Sequence, residues 1–321
     1  MRSFRASFKI NALVLILATL LIISVTITVI GLVLASAEDN KAERYSLLSK
    51  RLFVENQNDI FVNLAPLRSK VRNSLNKTGI LYSFYFEYLP SGTSIRAGDS
   101  EEFVGASLMK LPIVMDLYKT SELGRLSLDD SITIDDQALS KKFGLLYQAG
   151  AGSSVTLKEA VRLALTESDN TAARIILEQT QKTLKPTDRS LNFLDVDIED
   201  YTDGGQPVIL ISARAYSSFL KCLYLSCYLD YDDSQEILNI LTKADFHSRL
   251  EAGVSDKSVR VAHKIGTFSQ KSSSDCGIVY VPKRPYLFCL MINSTEANVD
   301  KIIADISGMT YKYITEVNTA E

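Results

Sequence analysis

The sequence has two histidines, four cysteines and no surplus of positive charge, with 35 Lys and Arg against 38 Asp and Glu. That balance leaves no basic face strong enough to make a nucleic acid the obvious partner. With so few histidines, Ser-His-Asp chemistry is disfavoured. His247 falls on a helix or loop and His263 on an expected strand directly before Lys264, and both read first as structural residues. A Walker loop, a dinucleotide fingerprint, clustered metal ligands and a G-x-S-x-G elbow are all missing, so neither a metal nor a cofactor is expected. The cysteines are too few for a disulfide scaffold. Cys222 and Cys227 lie five apart on an expected helix, which points them away from each other. Cys276 and Cys289 fall on neighbouring expected strands and could pair only if the register agreed. We read all four as buried thiols.

What is present begins with 46% hydrophobic and 23% charged residues over a chain of 321, enough for a substantial core and incompatible with disorder. Ala12 to Ala35 is a run of 24 residues without a charge. A helix needs about 20 such residues to cross a bilayer, and a cleavable signal usually has only about 7 to 15. Arg2, Arg5 and Lys9 precede the run and Glu38 and Asp39 follow it, which orients the remainder outward. We therefore expect residues 1–10 in the cytoplasm, a transmembrane anchor over 11–36, a linker and leading helix over 37–78, and an extracytoplasmic domain over 79–321. The rival is secretion after cleavage, because Ala35-Ser36-Ala37 has the small-x-small form of a signal-peptidase site.

Apolar spacing predicts a helix from Arg44 to Lys77, ended by Gly79. Leu81 to Leu89, a Pro90-Ser91-Gly92 turn and Thr93 to Ala97 read as a β-hairpin. A largely helical stretch follows to about Tyr231, with a Thr156/Glu159 capping box opening the helix Leu157 to Leu165. Ser258 to Phe268, Gly277 to Val281 and Tyr286 to Asn293 read as strands, and Ala297 to Val317 as a closing helix. Strands at both ends with helices between them indicate an α+β fold whose terminal parts share one antiparallel sheet.

Three short motifs carry chemistry. S-x-x-K occurs three times, at Ser74/Lys77, Ser107/Lys110 and Ser218/Lys221. The first and last lie within amphipathic helices, where a solvated face explains them. Ser107 differs, because Gly105-Ala106 precede it and a nearly all-apolar helix follows, which would bury Lys110 beside the serine hydroxyl. A lysine kept partly neutral by burial can take a serine proton. Ser168-Asp169-Asn170 lies between two expected helices and would serve equally as an N-cap. Lys264-Ile265-Gly266-Thr267 lies on an expected strand, with Lys264 and Gly266 on one face; an edge lysine beside a glycine bulge is the plain alternative.

Together, in this order, these motifs resemble those of the penicillin-recognising serine hydrolases, most closely class A β-lactamases and their relatives. The resemblance runs over roughly Leu81 to Tyr313 and includes EEFVGASLMKLPIVMDLYK, TLKEAVRLALTESDNTAARIIL and VAHKIGTFSQKSSSDCGIVYVPKRPYLFCLMIN. It implies a β-lactamase/transpeptidase-like fold, with the terminal strands forming the sheet beside an all-helical lobe. Ser107 would be the acylated nucleophile, Lys110 its proton partner and Ser168 the relay to the leaving nitrogen. Asn170 would bind the substrate amide and Lys264, with Gly266 and Thr267, the carboxylate side. The backbone N–H groups of Ser107 and Thr267 would form the oxyanion hole. No metal or cofactor enters, and the implied partner is a β-lactam or a peptidoglycan stem peptide, met by a monomer.

Two departures from the family pattern stand out. Ile265 occupies the place of the family's Thr or Ser in K-T/S-G, and no Glu-x-x-x-Asn, the source of the water-activating glutamate, lies between Asn170 and Lys264. Asp195, Asp197, Glu199, Asp200 and Asp203 populate that region instead. The first reading is therefore a β-lactam-hydrolysing serine enzyme. The alternatives are a D-Ala-D-Ala peptidase that deacylates slowly and a non-catalytic cell-wall-binding module.

Overall fold

The computed structural model describes residues 18–30, 44–48, 62–98, 103–203, 206–269, 272–294 and 298–317. Two compact units are present, residues 1–46 with 50–56, and residues 47–49 with 57–321. In the first, residues 18–30 are helical and exposed (α1). Among the described residues no helix is long and apolar enough to cross a membrane, and the two ends of the expected 11–36 span lie outside them.

The second unit is organised by a five-stranded antiparallel sheet, order β2-β1-β10-β9-β8. Its strands are β1 (Leu81–Tyr88), β2 (Thr93–Ala97), β8 (Val261–Phe268), β9 (Ser272–Val279) and β10 (Tyr286–Asn293). The first strand of the unit pairs with the last, Tyr85 opposite Cys289. Both faces of β1 and β10 are covered, so these strands read as almost continuous apolar runs. Phe84, Phe86, Tyr286 and Phe288 face Leu67, Val71 and Leu75 of α2 (Ala65–Asn76) and Ile303 and Ile306 of α9 (Val299–Glu316), forming the main core. On the other face lies α7 (Ala213–Leu225), where Lys221 pairs with the buried Glu87 at 2.8 Å. That ion pair accounts for the lysine of the Ser218/Lys221 motif.

The helical region is built around α3 (Lys110–Glu122), with α4 (Leu157–Thr166), α5 (Asn170–Thr183), α6 (Ser190–Phe193) and α8 (Tyr231–Leu241) about it. α3 buries Leu111, Val114, Met115 and Leu117 in full, as its all-round apolar sequence requires. Thr156 caps α4 by accepting from the Glu159 N–H at 3.2 Å; the Glu159 carboxylate turns instead to Arg162.

Several expectations are corrected. The leading helix covers 65–76, not 44–77: residues 45–47 form turns, and Pro66 sits in the first turn of α2, where its missing N–H costs nothing. Residues 49–61 lie outside the described ones. The stretch read as helical also contains β4 (Ser131–Thr133) paired with β5 (Ser154–Thr156), and a small sheet of β3 (Phe103–Val104), β7 (Gln206–Ile211) and β6 (Glu199–Asp203). Strands of two to six residues are too short for alternation to reveal.

The cysteines are paired, not free. Cys222 and Cys227 are bridged because α7 stops at Leu225 and Ser226 adopts φ 49°, turning the chain back so that the Cys227 N–H reaches the Cys222 carbonyl at 3.0 Å. Cys276 and Cys289 are bridged because they stand directly opposite each other on β9 and β10.

Candidate active site

Ser107 is delivered by a short 3-10 turn, Ala106–Met109, that runs straight into α3. The turn is anchored on one side by the Gly105 N–H donating to the Ile209 carbonyl at 2.8 Å. On the other it rests on β8 at Gly266, where an added Cβ would meet Ser274 Oγ at 2.5 Å and the Gly105 carbonyl at 3.0 Å. Glycine is therefore required for the nucleophile segment to approach the strand. Ala106 holds φ 46°, a left-handed conformation that costs a non-glycine residue about 1 kcal/mol or more and that packing must impose.

One turn further on, Lys110 is buried in a nest of oxygens. Its amine donates to the Ser168 carbonyl and to Asn170 Oδ1 at 2.7 Å, and lies 3.1 Å from Ser168 Oγ. Burial pushes its pKa down to about 7, and the Asp169 carboxylate works against that shift. A neutral amine has two N–H bonds and one lone pair. The two carbonyl-type oxygens can take the N–H groups, which leaves the lone pair for a hydroxyl proton.

The Ser-Asp-Asn segment is held by its own geometry. Ser168 takes φ 57°. Asp169 is fully buried and accepts from the Ala172 N–H at 2.9 Å as the N-cap of α5, and from the Leu146 N–H at 2.9 Å. Its second bond ties down the loop beneath it, where Gly144 (φ 80°) is needed because an added Cβ would sit 1.9 Å from Asp169 Oδ2. The N-cap reading of this tripeptide thus holds for Asp169, while Ser168 and Asn170 turn to Lys110.

Lys264 is fully buried, and its amine has no hydrogen-bond partner among the described residues; the Phe246 ring centroid is 5.5 Å away. Burial drives its pKa well down, Lys110 and Arg249 add repulsion, and Asp275 opposes them. A buried amine with no partner calls for an acceptor, and an anion placed beside it would favour its charged form. Ile265 and Thr267 occupy the opposite face of β8 from Lys264. Arg249, which no motif marks, is buried there: it donates to Thr267 Oγ1 at 3.0 Å, to the Gly266 carbonyl at 3.1 Å and to the Ser274 carbonyl at 2.8 Å, and its Nε pairs with Asp300 at 2.7 Å. The guanidinium therefore locks the end of β8 that carries Gly266 and Thr267. His263, as expected, is structural, its Nδ1 lying 2.9 Å from the buried Asp275.

Ser107, Lys110, Asn170 and Thr267 all line one cavity of about 710 Å³. Among the described residues no Asp or Glu lines it. Asp195, Asp197, Glu199 and Asp200 are exposed, and Asp200 borders a neighbouring cavity of about 410 Å³ with Ala106, Met109 and Phe268; the side chain of Asp203 lies outside the described ones. Elsewhere Glu122, Asp230 and Asp233 bring three carboxylates together, but none of them lines the cavity that holds Ser107.

Comparison with known proteins bears on the fold and the family. The β-lactamase VEB-1 of Pseudomonas aeruginosa is 23% identical over 252 residues, which cover 68% of this chain and 81% of that protein. The structure of PBP-A superposes with a TM-score of 0.70 at 22% identity, over 79% of this chain and 97% of that one. A β-lactamase from Sphaerobacter thermophilus DSM 20745 superposes with a TM-score of 0.71 at 17% identity, over 81% of this chain and 100% of that one. The family model described as "Beta-lactamase enzyme family" matches residues 66–314, from the first turn of α2 to the last turn of α9, and the chain belongs to that family.

Proposed function

We propose that this protein is a serine acyl-transfer enzyme that opens β-lactams, or cleaves the corresponding D-Ala-D-Ala peptide, through an ester on Ser107, and that it releases that ester slowly. The observation that carries the reading is Lys110: a buried amine with a pKa pushed down to about 7, three residues from Ser107 and 3.1 Å from Ser168 Oγ. Neutral Lys110 takes the proton from Ser107 Oγ as the oxygen attacks the carbonyl carbon. The oxyanion forms toward the backbone N–H groups of Ser107 and Thr267. As the C–N bond breaks, Ser168 gives its proton to the departing nitrogen and recovers one from the Lys110 ammonium. Lys264 supplies the charge for the substrate carboxylate, Arg249 holds the strand end beside it, and Asn170 faces the substrate amide.

Slow release is supported by the described residues of the cavity wall, which include no carboxylate to activate a water against the ester. A mutant of PBP-A is known as an acyl-enzyme with penicillin G, which shows that a related fold can hold such an ester. We also propose that the domain works outside the cytoplasm, held by the apolar run that begins at Ala12 or secreted after its cleavage. The run's length, the basic residues before it and the pairing of all four cysteines favour an oxidising compartment.

The test is labelling with fluorescent penicillin, followed by intact mass after benzylpenicillin. The wild type should gain one penicillin mass and keep it for many minutes, and Ser107→Ala should gain none. An adduct that vanishes within seconds would make the protein an efficient β-lactamase. No labelling of either form at high concentration would leave the non-catalytic binding module.

A further inference from the structure

The cavity is longer than the acylation chemistry needs. Asn170, Ala173, Arg174 and Leu177 all line it, at the i, i+3, i+4, i+7 spacing of a single helix face, so the trough follows α5 for about 10 Å beyond the Lys110 contact. Its floor is apolar where Ala173 and Leu177 face Ile113 of α3. Its edge is cationic, with Arg174 on α5 and Lys142 on the loop pinned by Asp169.

The Arg174 guanidinium is positioned from behind: Nη1 donates to the Leu139 carbonyl at 3.0 Å and to the Gln137 carbonyl at 3.4 Å, and the side chain stays exposed. A guanidinium has five N–H donors, so two bonds from one nitrogen leave a fork for an oxyanion. The Phe143 side chain, 45% exposed at the same rim, offers an apolar surface beside it. Among the described lining residues there is no Asp or Glu to pair with Arg174 on this wall.

We propose that the trough along α5 is an acyl-side subsite for substrates that carry a second carboxylate at the end of an apolar arm, with Arg174 as the residue that reads it. The proposal deepens the reading of Ser107 as an acylating serine and rests on it for the reaction, though not for binding. The first carboxylate goes to Lys264 beside the scissile bond. The second lies on the opposite side of that bond, on the acyl portion, and the two charges fix the direction in which the substrate lies.

The probes are two amides of 6-aminopenicillanic acid with arms of equal length, one heptanoyl and one 6-carboxyhexanoyl. In the wild type the dicarboxylate should acylate Ser107 about 5-fold faster, the size expected of one exposed, charge-assisted contact. That ratio should fall to about one in Arg174→Gln and to an intermediate value in Arg174→Lys, which keeps the charge but loses the fork. The same pair is titrated by calorimetry into Ser107→Ala, alone and combined with Arg174→Gln, where no bond can form. A ratio near one in the wild type, a ratio that survives Arg174→Gln, or equal binding of the two probes to Ser107→Ala overturns the subsite. If neither probe nor benzylpenicillin acylates the wild type while Ser107→Ala still prefers the dicarboxylate, the subsite stands and the acylation reading falls.

Discussion

Lys110, Ser168 and Lys264 are 6%, 2% and 0% exposed, and hydrogen bonds join Lys110, at the start of α3, to Ser168 in the connection between α4 and α5. Asp195, Asp197, Glu199 and Asp200, on the segment after α6, are exposed, and none of them lines the cavity. The groups proposed to make the ester are thus fixed in place by burial and by backbone that tolerates few alternatives. The acids nearest in sequence to where a hydrolytic base would be sought are solvated and uncommitted. On the proposed reading, making and breaking an acyl bond call for separate groups, and among the described residues only those for the first lie in the interior.

The largest effect should come from Lys110→Ala. Loss of the proton acceptor should slow penicillin labelling about 10³-fold, while thermal unfolding stays near the wild-type midpoint because the residue removed is itself costly to bury. Full labelling by that variant would remove Lys110 from the mechanism and dissolve the contrast. Lys264→Ala should follow, slowing acylation by carboxylate-bearing β-lactams about 30- to 100-fold, as expected for a hydrogen bond to a charged group, with Lys264→Arg recovering part of the loss in the same assay.

The pH dependence is smaller and has a definite sign. Lys110 acts as a base only when neutral, and with its pKa about 7 the rate should rise roughly 8- to 10-fold between about pH 6 and pH 8. A profile flat across neutrality would contradict the assignment. The smallest effect is expected on the other side of the comparison: Asp195→Asn, Asp197→Asn, Glu199→Gln and Asp200→Asn should each change the acyl-enzyme lifetime less than about 2-fold. A tenfold longer lifetime in any one of them would identify a base that reaches the ester after all.

Much of this was legible in the chain. Ser107 stood out because the helix behind it is apolar all round, and Lys264 because it shares a strand face with a glycine; both arguments need only residue type and period. The β1/β2 hairpin and the helix α9 were equally plain. Arg249 was not, since its role depends on a bend before β8 and on partners, Asp300 and Ser274, that lie distant in sequence. Arg174 looked like any exposed helix residue until its neighbours on α5 were seen to line a cavity. The cysteine pairs were hidden for two reasons. One depends on a single left-handed residue, Ser226, and the other on the register of β9 against β10. The β6/β7 hairpin did leave a signal, Gly204-Gly205 between two runs of residues, which the helical reading passed over.

The pairing of β1 with β10 also governs when this molecule can fold. On that edge every partner of β1 lies about 200 positions away, from Tyr286 to Asn293, so the loop that must close spans nearly the whole domain. Such late, long-range closure makes folding slow and leaves β1 with an open edge during synthesis. A nascent chain that has already produced Ser107, Lys110, Ser168 and Lys264 therefore has the groups proposed to react before β10 is there to complete the sheet. Its exposure to aggregation and proteolysis is concentrated in the interval before Tyr286 to Asn293 appear.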